Sequence, residues 1–506
     1  MKHYLKMKKI VRLTVVNIGI LLTIPFYCSV SAQEALVAEG QRYLFLDDHW
    51  IKNQSGVSRS FHAAVKEKYN PVITPKSEDK GVGPFNFVWG SRQSPYSAWF
   101  GTYGAGVHYP QYFITSVDGF NWSDIHNETD VLKDGGSMSC YVCNNSSLYG
   151  DYPYLCAKWY AGSSKYYPAP HWEMMRSRDG VHWEAFPGNP VWDGPSDVMS
   201  IQWDARKKKF IAHYKVWRYK GTTLDGAPFV AFGHLDTKIE GNVFRVFGTS
   251  YLPKQTIDVK LQYSGGTNDD GGGGITDVKV QMARVIGYAE SSDFVHWENE
   301  RIIIEPPSDA PLGDQSYGMQ VTCYGNMYIG LYNHFQGPAG LMQAMLAWSY
   351  DGIHYTVHDK QLFIASGEKG AWDYGMIVYP SELMDAGNGQ QFVYYGSMGV
   401  DHLVTDERQY KGALGRAWIR RDGFASLQGG WMETVTLTVQ TDRIHLNMSG
   451  EVGVTLKSAT GETIGKAVLC GDYHDFIPDM DLSAWIGKEV IVHFDMSKGE
   501  LFSITL

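Results

Sequence analysis

The chain has 506 residues, with 44 Lys+Arg against 54 Asp+Glu and a formal net charge of −10. Hydrophobic residues at 44% and charged residues at 19% exclude a wholly disordered chain. No basic tract follows the first dozen residues, which argues against a nucleic-acid partner. The length allows roughly two to four domains, or one large repeat domain with a smaller one. Aromatics at 14% and 55 glycines favour an all-β fold, since aromatics suit strands and Gly suits turns.

Lys2, Lys6, Lys8, Lys9 and Arg12 form a positive n-region, followed by an apolar run from Leu13 to Phe26. Val30-Ser31-Ala32 then offers small residues at a cleavage site, so residues 1–32 read as a signal peptide and Gln33 as the mature start. The run is short for a membrane span, with Pro25 near its end. Losing its five positive side chains takes the net charge from −10 to −15. The expectation is an exported protein, periplasmic or extracellular, with no stable membrane span after cleavage. Cys28 leaves with the leader, and the five remaining cysteines are too few for a disulfide framework. Cys140-x-x-Cys143 has no second ligand pair spaced to make a zinc site, which leaves ordinary strand cysteines, or one bridge within Cys140, Cys143 and Cys156.

A three-part repeat follows. Its clearest part is Ser-x-Asp-Gly-x-x-Trp, at Ser116 to Trp122 and Ser177 to Trp183. Variants stand at Ser291 to Trp297 and Ser349 to Tyr355, with a decayed copy at Arg421 to Phe424. Asp-Gly is a turn signal: Gly takes positive φ and Asp bonds the turn backbone. An aromatic-rich strand precedes each copy: Tyr96–Tyr103, Tyr154–Tyr160, Phe210–Trp217, Met327–His334 and Gln391–Ser397. Before each of these lies a short strand, with Met138, Met199, Met319 and Met376 in four copies and Pro84 to Trp89 in the first. Four antiparallel strands recurring five times predict a five-bladed β-propeller over residues 33–430. The Asp-to-Asp spacings are 61, 114, 58 and 71, which places an insertion at about 219–283. Tyr43 to Ile51 is expected to close the ring against the last blade. From 431 to 506 the pattern changes to half-buried alternation at Thr434–Val439, Arg443–Asn447, Val452–Lys457, Glu489–Phe494 and Leu501–Leu506, predicting a small β-sandwich.

Leu44-Phe-Leu-Asp-Asp-His-Trp-Ile51, the Ser-x-Asp-Gly-x-x-Trp turns and the closing Leu501-Phe-Ser-Ile-Thr-Leu506 resemble the secreted glycoside hydrolase family 32-like proteins. Their five-bladed propeller is shared with families 32, 43, 62, 68 and 117. The invertase-type Asn-Asp-Pro-Asn, Arg-Asp-Pro and Glu-Cys-Pro motifs are absent, so no catalytic residue carries over by motif. The resemblance implies that the substrate face is set by the starts of the innermost strands.

In this sequence those starts carry Asp79, Asp134, Asp197, Asp314 and Asp373. Glycoside cleavage needs one protonated and one ionised carboxyl group, and clustered carboxylates separate one another's pKa values. Asp197 and Asp373 form the preferred catalytic pair, with Asp314 next. Trp203 and Trp372 are the nearby aromatics, suited to stacking on a sugar. Asp47 and Asp48 are further candidates, of which only one can face the axis. Arg59 and His62 would supply positive charge, and Tyr317 and Tyr374 share the position before Gly-Met. No cofactor is expected, though carboxylates and carbonyls on the axis would suit a structural calcium ion. The expected function is an exported glycoside hydrolase acting on an environmental polysaccharide or oligosaccharide, with a neutral sugar at the cleaved position. The alternatives are a non-catalytic carbohydrate-binding propeller, or a glycan lyase or phosphorylase on the same scaffold.

Overall fold

The computed structural model describes residues 41–506, except 75–83, 92–95, 103–110, 124–126, 129–136, 143–149, 161–163, 166, 168–169, 223–226, 234, 241–242, 248–255, 261–279, 307–313, 338, 379 and 405–411. Among the described residues there is no α-helix, and one 3-10 turn at Ser483–Trp485. The fold is all-β, as the aromatic and Gly-rich composition predicts.

Antiparallel four-strand sets succeed one another, the last two joined into one sheet by a parallel bridge between Met342 and Met376. The first runs Pro84–Ser91, Tyr96–Thr102, Gln111–Ser116, Asn127–Glu128, and the second Ser137–Val142, Tyr154–Tyr160, His171–Ser177, Trp183–Ala185. The third is Met199–Asp204, Lys209–Thr222, Val280–Ser291, Glu298–Ile304, and the fourth Asp314–Tyr324, Met327–Gln336, Leu341–Ser349, Thr356–Ile364. The fifth has Met376–Val378, Gln390–Met398 and Gly412–Arg420, with Val65–Lys66 as its outer strand. The innermost strands of the first four sheets touch in succession, the fourth sheet meets the fifth through Leu341–Ser349 and Met376–Val378, and the fifth returns to the first, which closes the propeller ring. Every aromatic-rich segment of the repeat is the second strand of its sheet. The aromatics pack between sheets: Trp172, Phe186, Trp192, Phe210 and Tyr214 join one core between the second and third. Trp192 and Trp297 stack there, 4.9 Å apart and 8° from parallel.

The Ser-x-Asp-Gly turns explain their own recurrence. Ser177 Oγ accepts the Gly180 N–H at 2.8 Å, and Asp179 Oδ1 accepts those of Val181 and His182 at 2.9 and 2.8 Å. The same bonds recur at Ser116/Asp118 and Ser349/Asp351. Gly119, Gly180 and Gly352 hold φ between 69° and 78°, which a Cβ would strain.

Two chain segments lie elsewhere than the pattern suggests. Tyr43 to Ile51 does not close the ring. Arg42–Leu44 pairs with the C-terminal strand at Ser503 to Thr505, and Ile51–Ser55 pairs with Trp431–Thr434. Ring closure falls to Val65–Lys66, paired with Ala417 and Trp418. In the C-terminal unit, the expected strands 443–447 and 452–457 are one strand, His445–Ser458. Glu489–Thr505 is likewise continuous over 17 residues, and the polar Thr463–Phe476 adds a strand. Register shifts at Asn447/Met448 and Glu451/Gly453 absorb the breaks in alternation. All nine strands of this unit, three from the N-terminal segment, form one hydrogen-bonded network rather than two separate sheets.

The stretch from 219 to 283 departs from the third sheet between its second and third strands. Those strands stay paired out to Gly221 and Val280, and Pro228–Gly233 folds back on the second. Leu235–Glu240, Val243–Phe247 and Thr256–Lys260 make a separate three-stranded sheet.

Candidate active site

Each innermost strand begins at one end of the ring, and each Ser-x-Asp turn closes the other, because three antiparallel strands separate them. Asp197 and Asp314 stand at the strand-start end. Asp197 precedes Met199–Asp204, and its carboxylate meets the Lys215 ammonium at 2.6 Å and the Ser196 hydroxyl at 2.7 Å. Lys215 is 2% exposed, whereas the Asp197 side chain keeps 44% of its surface, so a ligand can reach the carboxylate but not the lysine. Burial opposes ionisation of Asp197, but the Lys215 charge and the two hydrogen bonds prevail and hold its carboxyl well below the usual range.

Tyr317 sits where the fourth innermost strand loses register, between Ser316 and Gly318. A bulge re-aims a side chain, and Tyr317 is turned onto a cationic cluster. Lys215 Nζ lies 4.5 Å and the Arg284 guanidinium 5.2 Å from its ring centroid. Its hydroxyl is 3.3 Å from His402 Nε2. Burial, followed by the Arg284 and Lys215 charges, pushes His402 down to about 4, so the imidazole is neutral at pH 7. Arg284 donates to Gln315 Oε1 at 2.8 Å and packs over Trp217 and Phe335. Val198, Tyr317, Phe335, Met342, Met376, Val378 and Met398 form the apolar floor, drawn from the third, fourth and fifth sheets. Lys215, Arg284 and His402 come from a second strand, a third strand and a loop, so a search of innermost-strand starts passes over them. The alternation of Lys215 with Tyr214 and Val216 was the available signal for the lysine.

Asp314 opens the fourth innermost strand and lies 3.3 Å from His334 Nε2 on the neighbouring strand. Burial pushes His334 down, against the opposing pull of Asp314.

The other expected site residues fall elsewhere. Asp373 is 3% exposed and takes the Lys66 ammonium at 2.5 Å and the Tyr395 hydroxyl at 3.4 Å. Trp372 stacks on Tyr395, 5.8 Å away, at the edge of the core shared by the fourth and fifth sheets. Both residues thus contact the fifth sheet, Asp373 through Lys66 and Tyr395 and Trp372 through Tyr395. Tyr374 is half-buried. Trp203 is near the far end of its strand, packed on Phe210 at 4.9 Å. Asp47 accepts from Trp348 Nε1 at 2.7 Å and Tyr350 OH at 2.6 Å, beside the turn at Asp351, so it occupies the opposite end of the ring. Asp48 pairs with Arg59, whose Nε donates to Phe45 O at 2.7 Å. His62 lies 2.8 Å from Ser426 Oγ and 3.7 Å from Glu500, against the C-terminal unit. Asp79 and Asp134 lie outside the described residues. Among the described residues no group of three or more His, Cys, Asp or Glu is placed to hold a metal ion. Cys156, Cys323 and Cys470 are free thiols, while Cys143 lies outside the described residues. No helix among the described residues is long and apolar enough to cross a membrane.

No protein-family model matches the sequence, and no curated protein matches it. Among solved structures, the chain is similar to an N-acetylgalactosamine deacetylase from F. plautii in complex with blood group B trisaccharide, at 12% identity and a TM-score of 0.43, covering 72% of this chain and 96% of that one. It is similar to the catalytic domain of a Coprinopsis cinerea GH62 α-L-arabinofuranosidase at 13% identity and 0.41, covering 71% and 97%. A Bombyx mori GH32 β-fructofuranosidase gives 10% identity and 0.37, over 94% and 96%. Identity and superposition are low in all three.

Proposed function

We propose that the strand-start end of the propeller is the active site of an exported glycoside hydrolase acting on a polysaccharide or oligosaccharide. The observation that carries this reading is Asp197: an ionised carboxylate, open to ligand, fixed by a buried lysine at the mouth of the ring. Asp197 is the base, taking a proton from water as its oxygen attacks the anomeric carbon. Asp314, on the next sheet, is the candidate acid, passing its proton to the departing glycosidic oxygen. Carboxyl groups about 6.5–9.5 Å apart, with room for a water between them, make the reaction inverting. Export is read from the basic and apolar pattern of residues 1–32.

The test is a panel of plant and algal glycans with the released sugars identified by NMR. Asp197→Asn keeps the shape and loses the base, so turnover falls by about 10²–10⁴-fold; because it also leaves the buried Lys215 charge without its carboxylate, activity is compared at a temperature where circular dichroism shows both proteins folded. The first-formed product has the anomeric configuration opposite to the substrate. Full activity of the Asn variant removes Asp197 from the mechanism.

One observation favours a second reading. A tyrosine hydroxyl on a neutral imidazole, flanked by Lys215 and Arg284, is the equipment for β-elimination from a uronic acid glycan. In that case the products carry a new C=C bond with ultraviolet absorbance, no water is consumed, and Tyr317→Phe is the inactivating variant.

A further inference from the structure

We propose that the outward face of the C-terminal sheet binds a neutral polysaccharide chain across Trp431, the hollow at Gly453 and Val468. The face is built by strict alternation. Met432, Val452, Val454, Leu469, Phe494 and Met496 turn inward to a single apolar core. Their neighbours in sequence turn out. Cross-strand pairing then sets Trp431, Asp495, Gly453 and Val468 in one row over four strands. At ~4.8 Å between strands the row is roughly 14 Å long, enough for a short run of sugar units.

The two ends of the row are apolar and open to solvent: Trp431 is 39% and Val468 65% exposed. His493 lies in the adjacent row, 5.3 Å from Trp431 and 26° from parallel with it, which widens the flat aromatic surface. The middle of the row is low. A Cβ built on Gly453 would touch only Asp495, at 3.4 Å, so nothing fills the space above the strand. The result is a shallow trough with an aromatic wall, the shape that takes a pyranose ring on its apolar face.

Charge on the face selects the kind of chain. The acids beside the row are Glu433, Glu451 and Asp495 and the bases Lys457, Lys466 and Lys498, while Asp472 and Glu500, farther along the same strands, face Arg420 and His62. Lys457 pairs with Glu433 at 3.3 Å and Lys498 with Glu451 at 3.1 Å. The surroundings of the row are thus neutral in sum and rich in donors and acceptors. A polyanion gains nothing from it, whereas hydroxyl groups find partners of both kinds. This trough belongs to the C-terminal unit, which joins the propeller through Asp422 and Tyr324 at the turn end, away from Asp197. It does not depend on Asp197 being catalytic.

The experiment is native gel electrophoresis of the full chain through gels containing soluble arabinoxylan, xyloglucan or mixed-linkage β-glucan, with polygalacturonate as the anionic comparison. At least one neutral gel retards the wild type. Trp431→Ala weakens that retardation about tenfold. Gly453→Thr, a residue that suits an exposed strand and meets open space, fills the trough and weakens it as well. Asp197→Asn is retarded like the wild type, so failure of the catalytic reading leaves this one standing. The proposal is overturned if no neutral gel retards the wild type, if only polygalacturonate does, or if Trp431→Ala migrates as the wild type does. It is also overturned if sedimentation shows a dimer that Trp431→Ala abolishes, since the face then belongs to a second copy.

Discussion

Phe294 stands where three other turns carry glycine. Its φ is 60°, in the left-handed region, and the turn keeps the same bonds, with Asp293 Oδ1 accepting from Val295 and His296 at 2.9 and 2.7 Å. Such a backbone costs a bulky residue about 1–2 kcal/mol. The ring is fully buried against Phe186, Phe210 and Trp297, which offsets the strain. Deleting a buried phenylalanine costs about 3–5 kcal/mol, more than the strain it relieves. Phe294→Gly therefore destabilises the protein by about 1–4 kcal/mol, read as a lower denaturation midpoint with an unchanged urea slope. A stabilised variant would mean that the strain outweighs the packing. The same residue shows why the turn copies were legible without an alignment. The Ser hydroxyl and Asp carboxylate bond the backbone of their own turn, so their pattern is written locally. Asp373 shows the limit. Its place in the repeat was legible, but whether it faced the axis or Lys66 depended on Val65–Lys66 arriving some three hundred residues away along the chain.

At the scale of elements, the Gly-Met that opens two innermost strands serves two purposes. A Cβ on Gly375 would lie 1.9 Å from the Val400 carbonyl oxygen, which is backbone and cannot yield cheaply. A Cβ on Gly318 would lie 3.1 Å from a Val198 methyl group, which can. Both positions read alike in the repeat, yet Gly375→Ala is expected to cost about 1–3 kcal/mol by overpacking, while Gly318→Ala stays well under that. Thermal melts of the two variants check the order, and equal losses would contradict it. Gly318 matters for another reason: it follows the bulge that aims Tyr317, and it lets the third and fourth innermost strands approach where Asp197 and Tyr317 meet Lys215. The sequence placed the two tyrosines at equivalent positions, but register decides which side chain turns to the cations. Register is set by hydrogen bonds between strands, not by composition. Strand breaks in the C-terminal unit were misplaced for the same reason. Gly450 and Gly499 interrupt the alternation that marks a strand, and a bulged long strand reads like two short ones.

For the whole molecule, the first and last described strands are tied through one buried carboxylate. Asp422, 2% exposed, accepts from Arg42 Nη1 at 3.0 Å and Tyr324 OH at 2.5 Å, and also from the Ser503 hydroxyl. It thereby joins the first described strand, the fourth and fifth sheets and the last strand. Asp422→Asn retains the shape but leaves the Arg42 charge buried without a counter-ion, and breaking such a pair costs about 3–5 kcal/mol. Burial raises the Asp422 pKa, but the Arg42 charge and the hydroxyl donors outweigh it, so its carboxyl is held below the ordinary 3.8. A carboxylate depressed in the folded state contributes fully above its unfolded pKa and loses that contribution as pH falls through the folded one. The stability gap between wild type and Asp422→Asn should therefore be constant from neutrality down to about pH 4 and narrow below it. Buried neutral histidines add a separate slope common to both proteins. Burial takes His213 down to about 3, so only the unfolded chain gains its proton as pH drops below its ordinary value of 6.5, and stability declines there by about 1.4 kcal/mol per pH unit for each such group. Urea titrations of the two proteins at matched pH separate the slopes, because the histidine loss cancels in the difference. A gap that already shrinks between pH 7 and pH 5 would show that the pair at Asp422 is not the ionised tie between the first and last described strands.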